Sequence, residues 1–254
     1  MGVYFIQNEA RNKNIKIAKH IEMRVAGVSG GISGGTYESL SHVNEEAHKD
    51  KNIFKVLINP YGLNPGGEQE GLDKYDLRSV VFDKSSKNWI GPFIMAAINT
   101  KIVRRSNALN GYSYGKDFKY DEATLCGKGL FGRIKGIIST IPLAIIMSAK
   151  PGSFVKKIVD KILPKAGEGP DKNKRENGFY NLRFYITYDD GSKDVAKVIG
   201  DMDPGYGSTS KMLGEAAVCL AKDQLSDVSG VLTPSVAMGD KLLIRLKNNA
   251  GLTF

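Results

Sequence analysis

The segment that most constrains the fold is a pair of extended runs joined by a short turn. Residues 179–188 and 192–201 both favour β-strands, and Asp189-Asp190-Gly191 lies between them. An Asp-Gly pair is a strong signal for a β-hairpin, because a tight turn needs residues that accept positive φ. The sequence therefore predicts at least one antiparallel strand pair, which excludes a purely parallel series of β-α-β units.

Helices and shorter strands alternate irregularly along the rest of the chain. Apolar and polar residues alternate at period two over residues 15–26, which predicts a half-buried strand. Shorter strands are expected at 54–58, 79–82 and 118–125. Helices are expected at 4–10, from a cap at Ser33 or Thr36 to about His48, and at 93–109, 206–221 and 234–248. The predicted fold class is α+β, within the broader α/β family: a mixed, largely antiparallel sheet flanked by helices.

Composition is that of an ordinary soluble protein. Of the 254 residues, 41% are hydrophobic and 25% are charged, and the length is sufficient to bury a sizeable core. Cys126 and Cys219 lie far apart, so reduced and buried thiols are expected. The first residues lack a basic segment followed by an apolar run, so no secretory signal is expected. These features favour an intracellular protein.

Positive charge is concentrated between Lys128 and Lys165. This segment has eight Lys or Arg residues and one acidic residue, Asp160, so it accounts for +7 of the net charge of +9. Residues 136–149 carry no charge, and residues 154–163 place lysines opposite an apolar helical face. Basic residues that flank apolar runs favour a membrane surface. A nucleic-acid site more often has basic residues interleaved with exposed aromatic ones.

The uncharged run 136–149 is too short to span a bilayer reliably. A spanning helix needs roughly 20 apolar residues, and Pro142 interrupts the run. We therefore expect the basic and apolar insert, residues 128–165, to bind a membrane peripherally. The lysines expected at the membrane surface are Lys150, Lys156, Lys157 and Lys161. The alternative is a buried core helix followed by a surface helix.

Three short motifs match catalytic or binding patterns only in part. Residues 205–210 precede a predicted helix as a phosphate-binding loop does, but serine replaces the third glycine, which favours a glycine-rich helix start. Tyr112 and Lys116 have the spacing of a dehydrogenase Tyr-Lys pair, but the flanking glycines predict a loop. The Glu-x-x-His motif at 45–48 occurs once, whereas a di-iron site needs two, so no metal site is predicted.

A polar cluster lies inside the helix predicted at 93–109. Asn99 and Ser106 are seven residues apart and therefore share one helical face. Arg104 and Arg105 have the chemistry to meet a phosphate, a carboxylate or a neighbouring domain. The alternative is a structural ion pair with the acidic pair Asp121-Glu122.

A series of short motifs extends over nearly the whole chain. They are Ser33-Gly34-Gly35-Thr36 with Ser39, Asn59-Pro60-Tyr61, residues 91–96 followed by Asn99-Thr100, and residues 103–106, 115–120, 167–170, 203–206, 212–215, 231–234 and 237–239. Together they resemble the saccharopine dehydrogenase-like oxidoreductases, which include the trans-acting enoyl reductases. The resemblance departs at Ser229, where that family usually has the first of two glycines.

The resemblance implies an N-terminal Rossmann domain that binds NAD(P), followed by a mixed α/β domain. Residues 1–254 are then expected to form that second domain of a Rossmann-type oxidoreductase, with the insert at 128–165 and with the dinucleotide-binding domain absent. NAD(P) is expected for full-length members, and no cofactor is expected for this chain alone. The expected partners are the missing Rossmann domain and a membrane or lipid-droplet surface, with no nucleic acid, and a homo-oligomer is a further expectation.

Two functions follow from these patterns. The first is the substrate-domain portion of an NAD(P)-dependent oxidoreductase in lipid metabolism, inactive alone. The second is a non-enzymatic protein at a membrane or lipid droplet; otherwise the protein is cytoplasmic. Candidate substrate-binding or interdomain residues are Ser33, Gly34, Gly35, Thr36, Asn99, Arg104, Arg105, Ser106 and Tyr206. Apolar residues of the first and last helices are expected to pack in part on the absent domain: Phe5, Ile6, Leu242, Leu243 and Leu246.

Overall fold

A computed structural model describes residues 1–14, 16–31, 33–148, 152–165 and 167–254. Within these ranges the chain forms an open seven-stranded sheet flanked by helices, which confirms the predicted fold class. The strands are β1 (Ala18–Ser29), β2 (Val81–Asp83), β3 (Asn88–Gly91), β4 (Lys119–Gly127), β5 (Phe179–Tyr188), β6 (Lys193–Gly200) and β7 (Leu252–Thr253). The helices are α1 (Gly2–Asn14), α2 (Gly34–Lys49), α3 (Lys51–Ile58), α4 (Ala96–Leu109), α5 (Gly129–Ser148), α6 (Phe154–Ile162), α7 (Lys172–Glu176), α8 (Gly207–Lys222) and α9 (Pro234–Asn249).

The sheet has the strand order β2-β3-β4-β1-β5-β6-β7. Among the strands that the structure describes, only β1 and β4 pair in parallel, and every other neighbouring pair is antiparallel. The hairpin predicted from the Asp-Gly turn is confirmed, because β5 and β6 pair from Tyr180 opposite Gly200 to Thr187 opposite Lys193. The central strand, β1, therefore has one parallel and one antiparallel neighbour.

The main core lies between one face of the sheet and helix α1. Val3 and Ile6 of α1 pack with Ile21 of β1 and Phe184 of β5. Because successive side chains of a strand point to opposite faces, the neighbouring Glu22 and Arg24 lie on the other face of β1. The sheet thus has one apolar face and one face rich in charged residues.

A second core cluster joins helices α8 and α9. It contains Cys219, Leu242, Leu246 and Leu252. Cys126 and Cys219 are both buried free thiols, as expected.

The expectation that the terminal helices pack on another domain is wrong for four of the five named residues. Ile6, Leu242, Leu243 and Leu246 are buried inside this chain. Phe5 packs edge to face on Phe254, with the ring centroids 5.4 Å apart. The reason is that α1 and α9 contact each other and cover the chain's own sheet.

One predicted strand is a helix. Residues 54–58 belong to α3, which begins after Asp50, whose side chain accepts a hydrogen bond from the Asn52 backbone N–H at 2.7 Å. Capping side chains of this kind stabilise helix starts. Phe54 is exposed, whereas a core strand would bury it. The sequence interpretation also missed the short elements β3, α7 and β7.

Helix α5 differs most from its prediction. It extends from Gly129 to Ser148, so it includes residues 129–135 and continues through Pro142. In the described ranges it is the one helix long and apolar enough to cross a membrane, judged by length and composition, and 11% of its apolar window Gly129–Ile146 is buried. The length argument against spanning is therefore wrong, and so is the alternative of a buried core helix.

Candidate functional site

Helix α4 lies beside strand β4 and carries the predicted polar residues. Asn99 donates a hydrogen bond from Nδ2 to Oε2 of Glu122, at 3.0 Å. The hydroxyl of Tyr120 donates to the other carboxylate oxygen, Oε1, at 2.8 Å. Glu122 is only 4% exposed. These three residues form a buried polar group that we call the Glu122 cluster.

The electrostatics of the Glu122 cluster are dominated by burial. Burial raises the pKa of Glu122 to about 7, although the hydrogen bonds from Tyr120 and Asn99 oppose the rise, and Asp76 and Asp121 add to it. Burial also raises the pKa of Tyr120 well above its ordinary value. The Glu122 carboxyl therefore gains or loses a proton near neutral pH, while the Tyr120 phenol stays protonated.

The sequence alternative was an ion pair between Arg104 and Asp121-Glu122. In the structure Arg104 pairs with a different carboxylate. Its Nε lies 2.7 Å from Oδ2 of Asp73. Its other two nitrogens donate to the backbone carbonyls of Pro60 and Tyr120, at 3.1 and 2.9 Å. Arg104 is 3% exposed and its donors are used within the chain. It ties the loop before β2 to strand β4.

Arg105 and Ser106 also make internal contacts. Arg105 donates to the backbone carbonyls of Leu63 and Val231. The hydroxyls of Ser106 and Thr233 lie 2.8 Å apart in a buried pair. Both residues therefore connect α4 to the segment that leads into α9, whereas Asn99 faces β4.

The Ser33–Thr36 motif forms the start of helix α2. Oγ of Ser33 accepts a hydrogen bond from the Thr36 backbone N–H at 3.2 Å, which confirms Ser33 as the cap. The Gly34 N–H and the Tyr206 hydroxyl both donate to the backbone carbonyl of Glu168. The structure thus brings Ser33, Gly34 and Tyr206 close together. In the ranges described, no hydrogen bond or ion pair links this group to the Glu122 cluster.

An open cleft of about 510 Å³ lies between α2 and α6, next to this group. Gly34, Tyr37, Lys156 and Asp160 are among its lining residues. The Asp160 carboxylate accepts hydrogen bonds from the Tyr37 hydroxyl and the Lys156 ammonium group, at 2.5 and 2.6 Å. These bonds from Lys156 and Tyr37 lower the pKa of Asp160. Lys156, predicted for a membrane surface, therefore faces the cleft in an ion pair.

The remaining predicted surface lysines are placed differently. Lys157 and Lys161 are exposed on α6. Lys150 lies outside the described residues.

The start of helix α8 does not fit a dinucleotide phosphate. The Asp203 side chain is fully buried and accepts hydrogen bonds from the backbone N–H groups of Tyr206 and Gly207, at 2.7 and 3.3 Å. A bound phosphate would need these N–H donors. They already bond the Asp203 carboxylate, whose negative charge would also repel a phosphate. The interpretation of residues 205–210 as a glycine-rich helix start is confirmed.

The Tyr-Lys pattern also lies in a loop, as predicted. Tyr112 has a φ of 58° within a turn. Lys116 lies over its ring, 5.6 Å from the centroid, and the two residues do not share a helix.

A charge network around the buried Arg24 side chain of β1 was missed by the sequence interpretation. The Arg24 guanidinium lies 2.5 Å from Asp121, 2.9 Å from Glu22 and 3.2 Å from Asp83. His20, Glu22 and Asp121 offer ligand atoms within 4.8 Å of one another. Arg24 already balances these carboxylates, so the donor set does not favour a metal ion. The sequence did contain a signal for this network: His20, Glu22 and Arg24 occupy every second position of the predicted strand and therefore share one face.

Comparison with known proteins found relatives among mycobacteria. The chain is 35% identical over 258 residues to a Mycobacterium tuberculosis protein named "Putative trans-acting enoyl reductase", covering 97% of this chain and 61% of the relative. It is 34% identical over 226 residues to a trans-acting enoyl reductase of Mycobacterium ulcerans, covering 84% and 54% of the two chains. The chain resembles enoyl reductases. No family model and no solved structure matches it.

This similarity agrees with the part of the sequence resemblance that concerned the trans-acting enoyl reductases. The wider saccharopine dehydrogenase-like assignment stays a prediction. The chain spans 54% to 61% of the length of these two relatives.

Proposed function

We propose that this chain is the substrate-side portion of an enoyl-reductase-like oxidoreductase of lipid metabolism. The observation that carries the proposal is the 35% identity over 97% of the chain to a protein named for enoyl reduction. Reduction of an enoyl group adds a hydride and a proton across a carbon–carbon double bond. A nicotinamide cofactor, NAD(P)H, is the usual biological source of such a hydride.

We assign the cofactor to a part of the full-length protein outside residues 1–254. Two observations support this division. The relatives are longer than the matched segment, and Asp203 occupies the backbone donors at the start of α8, the one place whose sequence resembles a phosphate loop. The chain alone is then inactive.

We assign the substrate to the cleft between α2 and α6. Of the candidate residues, Gly34 lines this cleft, and Gly35 and Thr36 follow it along α2. Arg104 and Ser106 are buried and bonded internally, so they support the fold around α4. Tyr206 positions the segment beside the cleft through the Glu168 carbonyl.

The test compares two proteins in an assay of NADPH oxidation with an enoyl thioester. One is the chain of 254 residues, and the other joins it to the part of the M. tuberculosis relative that it does not match. We expect no turnover by the first and turnover by the second. Lys156→Met in the joined protein should raise KM, because it removes a charge from the cleft, whereas Glu70→Gln, at an exposed site, should not.

Two results would contradict the proposal. Turnover by the 254-residue chain alone would refute the assignment of the cofactor to another part of the protein. Absence of turnover in a joined protein that is folded by circular dichroism would refute the reductase function. A non-enzymatic protein at a membrane or lipid droplet is the second candidate, and the exposed apolar surface of α5 is the observation that favours it.

A further inference from the structure

Helix α5 exposes apolar side chains around most of its circumference. Phe131 is 88% exposed, Leu130 is 69% exposed and Ile138 is 62% exposed. Further exposed residues on the same helix are Ile134, Ile137, Ile141 and Ile145. Removing such side chains from water is favourable, and soluble monomers rarely expose contiguous apolar surface of this kind. The surface therefore fits an apolar environment outside the folded chain.

A narrow stripe of small residues attaches α5 to the sheet. Gly132 and Gly136 are its buried residues. A Cβ atom at Gly132 would lie 2.2 Å from the Gly127 carbonyl oxygen, and one at Gly136 would lie 2.9 Å from the Val80 side chain. The helix thus lies directly against the folded domain along one side and contacts α6, while Leu130, Phe131 and Ile138 remain exposed.

This attachment decides how α5 can meet a lipid bilayer. Thr140 is still close to the sheet, since its Oγ1 would lie 3.4 Å from a Cβ at Gly91. A helix that packs against the sheet from Gly132 to Thr140 has protein along that side and cannot be surrounded by lipid over that length. Insertion from one side of a single leaflet is compatible with the contacts, whereas crossing both leaflets is not.

Charge around α5 identifies the chemistry of the partner. The sequence between residues 123 and 159 has six Lys or Arg residues and no Asp or Glu. Three of the basic residues, Lys128, Arg133 and Lys135, lie at the start of α5 and are exposed. Such charges attract anionic lipid headgroups. An acidic soluble protein would match the charges, but it would leave apolar side chains on several sides of α5 in water.

An aromatic residue marks the expected headgroup level. The Arg133 guanidinium lies over the Trp89 ring, 5.2 Å from its centroid. Tryptophan and arginine side chains both favour the boundary between headgroups and acyl chains. Trp89 is the only tryptophan of the chain, so the tryptophan fluorescence of the protein comes from this position alone.

Helix α6 extends the same surface. Phe154 is 77% exposed and Ile162 is 76% exposed, and Lys157 and Lys161 are exposed beside them. Asp160, the acidic residue of α6, is ion-paired with Lys156, with the two charged atoms 2.6 Å apart. We propose that α5 and α6 insert monotopically into one leaflet of an anionic phospholipid membrane, with Trp89 and Arg133 at headgroup level. This proposal concerns a surface and does not depend on the proposed reductase function.

The test measures binding of the 254-residue chain to vesicles of phosphatidylcholine with or without phosphatidylglycerol. We expect flotation with the anionic vesicles, a blue shift of Trp89 fluorescence, and quenching by lipids brominated near the headgroup. Phe131→Glu with Ile138→Glu should reduce partitioning at least about tenfold, and Lys135→Glu should reduce it about fivefold or more. Leu213→Glu is the matched control, because Leu213 is 69% exposed on α8, away from this surface.

The possible outcomes separate the proposal from its alternatives. Absence of binding to the anionic vesicles would overturn it, as would equal loss of binding in the Leu213 control. Cleavage of the chain between α5 and α6 by a protease enclosed inside the vesicle would show a spanning helix and would also overturn it. Self-association through Phe131 without vesicle binding would identify a second copy of the chain as the true occupant.

Discussion

The raised pKa of Glu122 makes stability depend on pH in a defined direction. Burial raises this pKa from 4.5 to about 7 in the folded protein. The folded chain therefore binds the proton more tightly than the unfolded chain does. The stabilisation due to this proton is fully present below pH 4.5 and is lost as the pH rises through about 7. One pKa unit corresponds to about 1.4 kcal/mol, so the loss is about 3 kcal/mol.

Glu122→Gln should remove this dependence. The glutamine amide keeps a neutral group at the site, and its oxygen and NH₂ can still bond Asn99 and the Tyr120 hydroxyl, which both donates and accepts. We expect the free energy of unfolding of the wild-type chain to fall by up to about 3 kcal/mol between pH 4.5 and pH 8. The variant should show a much flatter profile and should be the more stable protein at pH 8.

The assay is urea unfolding at several pH values between 4.5 and 8, followed by tryptophan fluorescence and circular dichroism. Glu70→Gln is the matched control, because it makes the same chemical change at an exposed residue and should keep the wild-type profile. Parallel profiles for wild type and Glu122→Gln would refute the reasoning. They would show that the Glu122 carboxyl has the same protonation state in the folded and unfolded chain across this range.

Two further predictions concern buried charges. Arg104→Ala should lower the free energy of unfolding by about 3–5 kcal/mol, because it leaves the buried Asp73 carboxylate unpaired. Arg105→Ala should cost clearly less in the same urea titration, since Arg105 bonds only backbone carbonyls; equal costs would contradict this account. Asp203→Ala should lower stability by about 1–2 kcal/mol, because the Tyr206 and Gly207 N–H groups lose their acceptor. Calorimetry should find no micromolar NAD(P)H complex with the wild-type 254-residue chain, and such a complex would make the start of α8 a phosphate site after all.

Local sequence signals identified most of the elements correctly. The Asp-Gly turn predicted the β5–β6 hairpin, and Ser33 was one of two caps proposed for α2. The helices expected at 206–221 and 234–248 agree with α8 and α9 to within a few residues. These signals succeed because turn geometry, helix capping and amphipathic spacing depend on residues close together in the chain.

Local signals failed where two structures were compatible with the same short pattern. The short segment 54–58 is compatible with a strand or a helix. It is helical in the structure, where Asp50 caps the helix start and no residue of α3 is buried. Pro142 and the short uncharged run argued against a long α5, yet the helix continues through Pro142, and Gly132 and Gly136 allow its close contact with β4 and Val80. A local cap decided the first segment, whereas packing against the sheet decided the second.

The sequence by itself determined the type of fold, the concentration of positive charge at 128–165 and the resemblance to enoyl reductases. Only the tertiary structure decided which charges pair. Asp73 and Arg104 are 31 residues apart, and Arg24 meets Asp83 and Asp121 across 59 and 97 residues. No local pattern specifies such partners, because they depend on the strand order that places β1 beside β4. The exposure of α5 was also decided by the tertiary structure. An apolar sequence is equally compatible with a core helix, and only the packing of the other elements shows that most of α5 is not covered.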